Sequence, residues 1–384
     1  MLCAAGGANA ESKNGFRFDQ APSLRFGKTL RIDFKTRIHG DFSSNDERPE
    51  GVFDLHRARV GIEGQLFKRL EFEVERELTP KSQLWKDAFL NFRASRALEL
   101  KGGRFKIPFS LDQLTPISRL PFVYRSRIAD ELSSGRDLGV MAHGRLFKRG
   151  LNYQMGVFRA DGDNARTDYN LVAGGPTTAG RVTTDLSRVI PLPRVFRTLE
   201  LGSAFTLGSV NDGKNGLRGR AVSGETFFPR MYVAGRRLRW GAEMVWSPGP
   251  LTLQAEFIHV RDERKGQALD YTDLSPVSTR GWYGSAVWKV AGKRREKSVE
   301  LTARLERIHF GSAEHPGRPS RSRFAANILP NADRVWTVGS NWWLNRYVQI
   351  QANAIHERTD DPLRTPVAGR RALWLGVCRL QFVM

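Results

Sequence analysis

Cationic side chains spaced two residues apart are the feature of this sequence that could do chemistry. Arg31, Lys35 and Arg37 share one parity of a stretch, with Asp33 among them; Arg57 and Arg59 share one parity of the next, as do Arg237 and Arg239 further on. Arg93 falls on the polar parity of another stretch. Arginine outnumbers lysine 47 to 14. A guanidinium stays charged at any working pH and offers a planar fork of N–H donors that meets a carboxylate or phosphate at two points. Side chains at i and i+2 of an extended chain stand on one face, about 7 Å apart. The chemistry implied is repeated, weak capture of oxyanions along a row.

Such a row needs strands to hold it, and strands are what the pattern predicts. From Leu30 to His39 the even positions are apolar or Thr and the odd positions are charged or His. The same alternation recurs in Ala58–Leu66, Leu70–Glu75, Asp87–Arg93, Val299–Glu306 and Val348–Ala354. Period two marks a strand with one apolar and one polar face. No segment shows convincing helical spacing. The expected strands are 28–40, 54–66, 70–78, 83–94, 97–106, 136–148, 151–160, 180–190, 198–210, 231–247, 251–262, 280–291, 297–310, 333–344, 347–358 and 371–383, sixteen in all. Tight turns such as Phe67-Lys68-Arg69, Ser247-Pro248-Gly249-Pro250 and Leu344-Asn345-Arg346 alternate with long connections at 107–135, 161–179, 211–230, 263–279 and 311–332. That is an up-and-down antiparallel meander with no linker dividing it.

The meander is read as an all-β transmembrane barrel rather than a soluble sandwich. Sixteen long strands closed on themselves leave a water-filled channel. The apolar face often carries small residues such as Ala58, Gly64, Ala303 and Ala352, which fill a core poorly but are harmless against lipid. Trp240/Trp246, Trp282/Trp288 and Trp336/Trp342 are same-face pairs six apart, which roughly suits two aromatic girdles. The mean hydropathy of −0.43 fits, because only half of each strand meets lipid. No run reaches the roughly 18 apolar residues of a spanning helix.

Several segments resemble the phosphate-selective porin O/P family of Gram-negative outer membranes. Phe53-Asp54-Leu55-His56-Arg57-Ala58-Arg59-Val60-Gly61-Ile62-Glu63-Gly64 is similar to its Arg-rich second strand. Gly103 to Thr115 resembles the approach to loop 3, and Phe122–Arg127 with Gly135–Val140 resembles that loop and its exit. Arg239-Trp240-Gly241-Ala242-Glu243 is similar to a strand motif of the second half. The resemblance implies a homotrimer of 16-stranded barrels in the outer membrane. Loop 3 would fold into the lumen, and arginines would lead phosphate or similar small anions to the constriction. Lys106, Arg119, Arg125, Arg127 and Arg136 become its constriction-loop cations, and Asp87 an inward carboxylate that tempers them. The sequence departs from the family at His56-Arg57, where two arginines are frequent, at Arg59, where an aromatic occurs, and at its Phe382-Val383-Met384 end.

Other functions fit poorly. The net charge of +21 suits a nucleic-acid binder, but the basic residues are interleaved with apolar ones and form no binding motif. No Gly-rich phosphate loop and no paired-His motif mark an enzyme, a metal or a cofactor. His56, His143, His259 and His309 are scattered, and two cysteines make no disulfide framework. The remaining rival is a general-diffusion porin with little selectivity. Glu71, Glu73 and Glu75 are also inward and are expected to pair with arginines of adjacent strands. Arg318, Arg321 and Arg323 are loop residues expected either to meet lipopolysaccharide phosphates or to recruit anions at the mouth. Ala8-Asn9-Ala10 before Glu11 fits a signal-peptide cleavage site, so residues 1–10 read as a residual leader and 11–384 as one barrel domain.

Overall fold

A computed structural model describes residues 14–384 apart from 19–20, 47–48, 81–83, 148–149, 164–173, 215–218, 221, 223–225, 229–231, 294–295, 312–320, 324–330 and 361–370. Residues 1–10, read above as leader remnant, and Arg318 lie outside the described residues. Sixteen antiparallel strands form the barrel. They are β1 (Leu30–Asn45), β2 (Val52–Leu66), β3 (Leu70–Glu77), β4 (Trp85–Arg93), β5 (Glu99–Lys106), β6 (Arg136–Leu146), β7 (Leu151–Phe158) and β8 (Thr177–Asp185). The second half comprises β9 (Leu199–Lys214), β10 (Tyr232–Trp246), β11 (Leu251–Arg264), β12 (Leu274–Lys293), β13 (Lys297–Gly311), β14 (Asn331–Trp343), β15 (Val348–Thr359) and β16 (Ala372–Val383). Each pairs with its neighbours in sequence, and β16 closes onto β1 from Leu375↔Asn45 to Val383↔Arg37. An N-terminal hairpin, Gly15–Phe18 with Pro22–Phe26, lies along the start of β1 beyond the C-terminus.

The barrel is inside out relative to a soluble protein. Val140, Val157, Trp336, Val338 and Trp374 are exposed on the outer face. Arg59, Glu77, Asn91, Arg304, Glu306, Gln351 and Arg379 are buried within. Lipid replaces the core as the partner of the apolar parity, so no interior needs filling with Val and Leu. Trp240, Trp282, Trp288, Trp336 and Trp342 all face outward, where their N–H groups suit the membrane interface.

The connections alternate as the turn residues require. Phe67 and Lys68 both take positive φ, 50° and 60°, in a two-residue hairpin closed by Arg69 N–H to Leu66 C=O. That turn matches the strand twist but strains two residues with Cβ atoms. The stretch expected as the end of a strand at 186–190 instead leaves the sheet through a 3-10 turn at Leu186–Arg188. A second 3-10 turn, Arg194–Phe196, stacks Phe196 on Trp246 at 5.5 Å.

Helices occur in the 107–135 connection, loop 3. They are α1 (Leu111–Leu114) and α2 (Arg127–Leu132), capped by the side chains of Ser110 and Ser126. Alternation did not signal them because each is a turn or two long. Ile128 and Leu132 of α2 pack with Phe109, Ile258, Val260, Ile308 and Phe310, the largest apolar cluster inside the barrel among the described residues. Loop 3 therefore rests on the wall built by the second half of the chain.

Candidate functional site: the lumen and its constriction

Loop 3 is fastened to one wall along its length. Glu256 on β11 accepts from the N–H groups of Leu111 and Asp112 at 3.0 and 3.2 Å. Asn341 on β14 donates to Pro121 C=O, and Gln351 on β15 to Leu120 C=O, both at 3.0 Å. Asn353 accepts from Val123 N–H at 2.8 Å. Arg304 on β13 donates to the carbonyls of Tyr124 and Arg125 and lies 4.4 Å over the Phe122 ring. Arg379 on β16 donates to Val123 C=O at 2.7 Å. Each bond satisfies a loop group that lacks a sheet partner. The loop thus covers β10 to β16 and leaves the wall of β1 to β6 open.

That coverage sorts the expected site residues into two groups. Lys35, Arg37, Arg57, Arg59, Lys106, Arg125 and Arg136 line one cavity of about 820 Å³, together with Asp87, Lys86 and Lys101. Among the described residues its wall carries nine cationic side chains against four carboxylates, Glu73, Asp87, Asp130 and Asp163. Arg237 and Arg239 are not brought to this cavity. They are about 2% and 1% exposed, and both pair with Asp161 in the connection after β7. Arg237 also meets Asp262 at 2.5 Å, and Arg239 donates to Leu132 C=O at 2.8 Å. Burial pushes the Asp161 carboxyl up, but Arg239 and Arg237 outweigh it and hold it at about 2. Arg127 is likewise consumed within the structure: its N–H donates to Glu306, and its guanidinium meets Asp333 at 3.3 Å.

Three further expected residues also sit outside the cavity. Arg31 is exposed and paired with Asp33 at 2.8 Å near the start of β1. Arg93 is exposed at the short-turn end, bridging Glu71 and Glu99. Arg119 is exposed at the end of a 3-10 turn in loop 3. Arg321 is exposed, whereas Arg323 donates to Gly266 C=O and stacks 4.1 Å from the Tyr271 ring.

Within the cavity the cations differ in how far they are neutralised. Lys35 lies 2.7 Å from both Glu63 and Glu73. Glu75 takes Arg37 at 2.7 Å and Arg59 at 3.0 Å, and Arg59 also reaches Glu77 at 2.7 Å. Arg136 forks onto Asp87 at 2.7 and 3.1 Å, and its backbone N–H donates to Asp163 at 2.7 Å. Gly162, beside Asp163, has φ +81° and lies so close to Ser134 C=O that a Cβ would stand 1.8 Å from it. Lys106 donates to the carbonyls of Gln113, Leu114 and Thr115, and Arg125 to those of Asp112 and Thr115. These two cap the loop backbone yet add charge without a carboxylate in contact. Of the cavity's guanidinium groups Arg57 is freest: its nearest carboxylate among the described residues, Glu77, is 3.6 Å away, and Nε and Nη1 have no hydrogen-bond partner.

Arg57 owes its setting to a β-bulge. Opposite His39 and Asp41 stand Arg57 and Asp54, so β2 carries one extra residue there. The bulge turns His56 and Arg57 to the lumen in succession, which strict alternation forbids. Lys86 similarly adjoins a register shift between the pairs Val74–Ala88 and Arg76–Trp85. Arg57 was readable from parity, which it shares with Arg59, but His56 and Lys86 were not. Lys101 was readable, since it shares the parity of Glu99. Arg379 was disguised: its inward parity also carries Leu375 and Val377, which pack against Val123 of loop 3.

A second cavity, about 470 Å³, shares Lys101 and Gln154 with the first and continues toward the short turns. Its wall alternates sign: Arg93, Lys101, Arg145 and Arg181 stand among Glu71, Glu99, Glu200 and Glu243. The lumen therefore passes from a basic constriction to a balanced vestibule.

A closed sixteen-stranded barrel with an apolar exterior and a charged lumen narrowed by an inserted loop is an outer-membrane porin. The same fold is found in OmpT of Vibrio cholerae (11% identity, TM-score 0.62, 94% of this chain and 99% of that one). It is found also in the outer-membrane channel DcaP of Acinetobacter baumannii (8%, TM-score 0.59, 94% and 99%). The family model described as phosphate-selective porin O and P matches residues 30–382, and the chain belongs to that family. A curated relative is Porin O of Pseudomonas aeruginosa, 22% identical over 381 residues, 89% of this chain and 84% of that protein. The protein is a channel of the Gram-negative outer membrane.

Proposed function

We propose that this porin passes small anions by passive, anion-selective diffusion, with phosphate-like oxyanions as its preferred solutes. The observation that carries the reading is the charge imbalance of the constriction, nine cations against four carboxylates lining the cavity between loop 3 and the wall it leaves open. A cationic ring raises the local concentration of anions and excludes cations. Lys35, Arg37, Arg57 and Arg59 on β1 and β2, with Lys106 and Arg136 on β5 and β6 and Arg125 on loop 3, form the path, and Asp87 tempers Arg136. Partial pairing with Glu75, Glu77 and Asp87 keeps each station weak enough to release its ion, which conduction requires. Arg31, Arg93 and Arg119, exposed outside the constriction, serve as approach residues. Arg127 and Arg239 act by holding loop 3, and Arg237 by holding Asp161. The functional unit in this reading is a homotrimer, its outer loops meeting lipopolysaccharide phosphates.

Planar-bilayer recording tests it. In a KCl gradient the reversal potential should lie on the chloride side, and millimolar phosphate should block chloride current more than added chloride of equal ionic strength does. A general-diffusion porin instead shows a near-zero reversal potential and no phosphate block; cation preference would refute the proposal.

A further inference from the structure

A third cavity lies against loop 3 on the side toward the long connections. Its volume is about 210 Å³, below the range of about 300–1,000 Å³ typical for drug-sized ligands. One wall is apolar: Val335 and Ile355 from β14 and β15, Val123 from loop 3, and Val222 from the connection after β9. Tyr124 and Val222 pack on the Val123–Val335–Ile355 cluster, and His56 meets the Tyr124 ring edge-on at 6.3 Å. The other wall is polar. Arg57, Arg127 and Thr337 line it, each at least nine-tenths buried. Each keeps a polar atom without a hydrogen-bond partner: Nε and Nη1 of Arg57, Nη2 of Arg127 and Oγ1 of Thr337.

Buried donors left unpaired are costly and gain from an incoming acceptor. Inorganic phosphate satisfies donors but gains nothing from four aliphatic side chains and a phenol ring. An apolar solute gains from that wall but leaves the arginines unsatisfied. We propose that this recess is a second solute site, taking a small organic anion whose carboxylate or other oxyanion group meets Arg57 while its apolar body, a single ring in size, sits against Val335, Ile355 and Tyr124. Arg57 and Arg125 line both this recess and the constriction, so an occupant holds its charged group at the edge of the main path. Such a solute enters the pore and obstructs inorganic anions while bound. The inference goes beyond anion passage as such, and it rests on that reading for the charge of its solute.

The probes are benzoate and acetate, which share a carboxylate and differ in the apolar body. In bilayers holding the full chain, benzoate should reduce chloride current at a concentration roughly ten-fold lower than acetate, the preference expected for partly burying one ring. Val335→Phe fills the recess and should erase that preference while leaving the KCl reversal potential unchanged. Ile355→Phe serves the same purpose if the first variant does not insert. Equal block by benzoate and acetate in the native channel would overturn the proposal without any variant. So would a preference that survives the filled recess. Cation preference in the KCl gradient is a separate failure, that of the anion-channel reading, and is seen without either probe.

Discussion

Arg379 on the last strand forks onto Asp41 on the first, Nε to Oδ1 and Nη2 to Oδ2 at 2.7 Å each, across the seam where the barrel closes. The two are direct cross-strand partners, and the remaining Nη1 holds Val123 of loop 3. One side chain thus joins the chain ends and ties the constriction to the seam.

Arg379→Leu should therefore destabilise the folded barrel by about 3–5 kcal/mol, because Asp41 is left buried without its guanidinium, with only His56 Nδ1 at 3.6 Å nearby among the described residues. The check is the temperature at which the barrel loses its compact electrophoretic form. The double variant with Asp41→Asn should recover a large part of the loss, since the cost lies in the orphaned charge.

Arg57 and Arg59 share a strand but should fail differently. Arg57→Ala removes the freest guanidinium and should weaken phosphate block of chloride current roughly ten-fold. Arg59→Ala also releases Glu75 and Glu77, so it should move the reversal potential in a KCl gradient further toward the cation side. Equal shifts in the two variants would contradict this division.

Arg239→Ala should raise single-channel conductance and current noise while leaving ion preference nearly unchanged. It cuts the bonds to Leu132 C=O and Asp161, which fix the end of α2, but takes no charge from the open cavity. A loss of anion preference as large as that of Arg57→Ala would place Arg239 in the path instead.

Val157 and Gln154 lie three apart on β7 and face opposite ways. Val157→Lys puts a charge against lipid and should cost about 2–4 kcal/mol near the midplane, read by urea unfolding in bilayers. Gln154→Lys faces the junction of the two cavities and should be tolerated, with a measurable gain in anion preference.

The barrel was legible in the sequence because parity is a local property: a strand alternates whatever it later pairs with. Sixteen strands, the tight turns and the long 107–135 connection follow from runs a dozen residues long. The inward face of Lys35, Arg37, Arg57 and Arg59 follows from the same alternation; Glu71 pairs with Arg93 and Glu75 with Arg59 across adjacent strands as expected, whereas Glu73 meets Lys35 and Glu75 also meets Arg37 two strands away. The bulge that turns His56 inward beside Arg57 lay beyond it, since one extra residue changes parity without changing composition.

What tertiary structure alone decided is which inward arginines meet the channel. Arg57 and Arg239 carry the same local signal, a charged residue on the polar parity of a strand. They part company because loop 3 folds across the lumen onto β10 to β16, bringing Leu132 to Arg239 and Asp112 to Glu256 from more than a hundred residues away. Contacts between such distant residues leave no periodicity behind. The row of forks is thus written in the sequence, and its division into path and anchor is made by where the loop comes to rest.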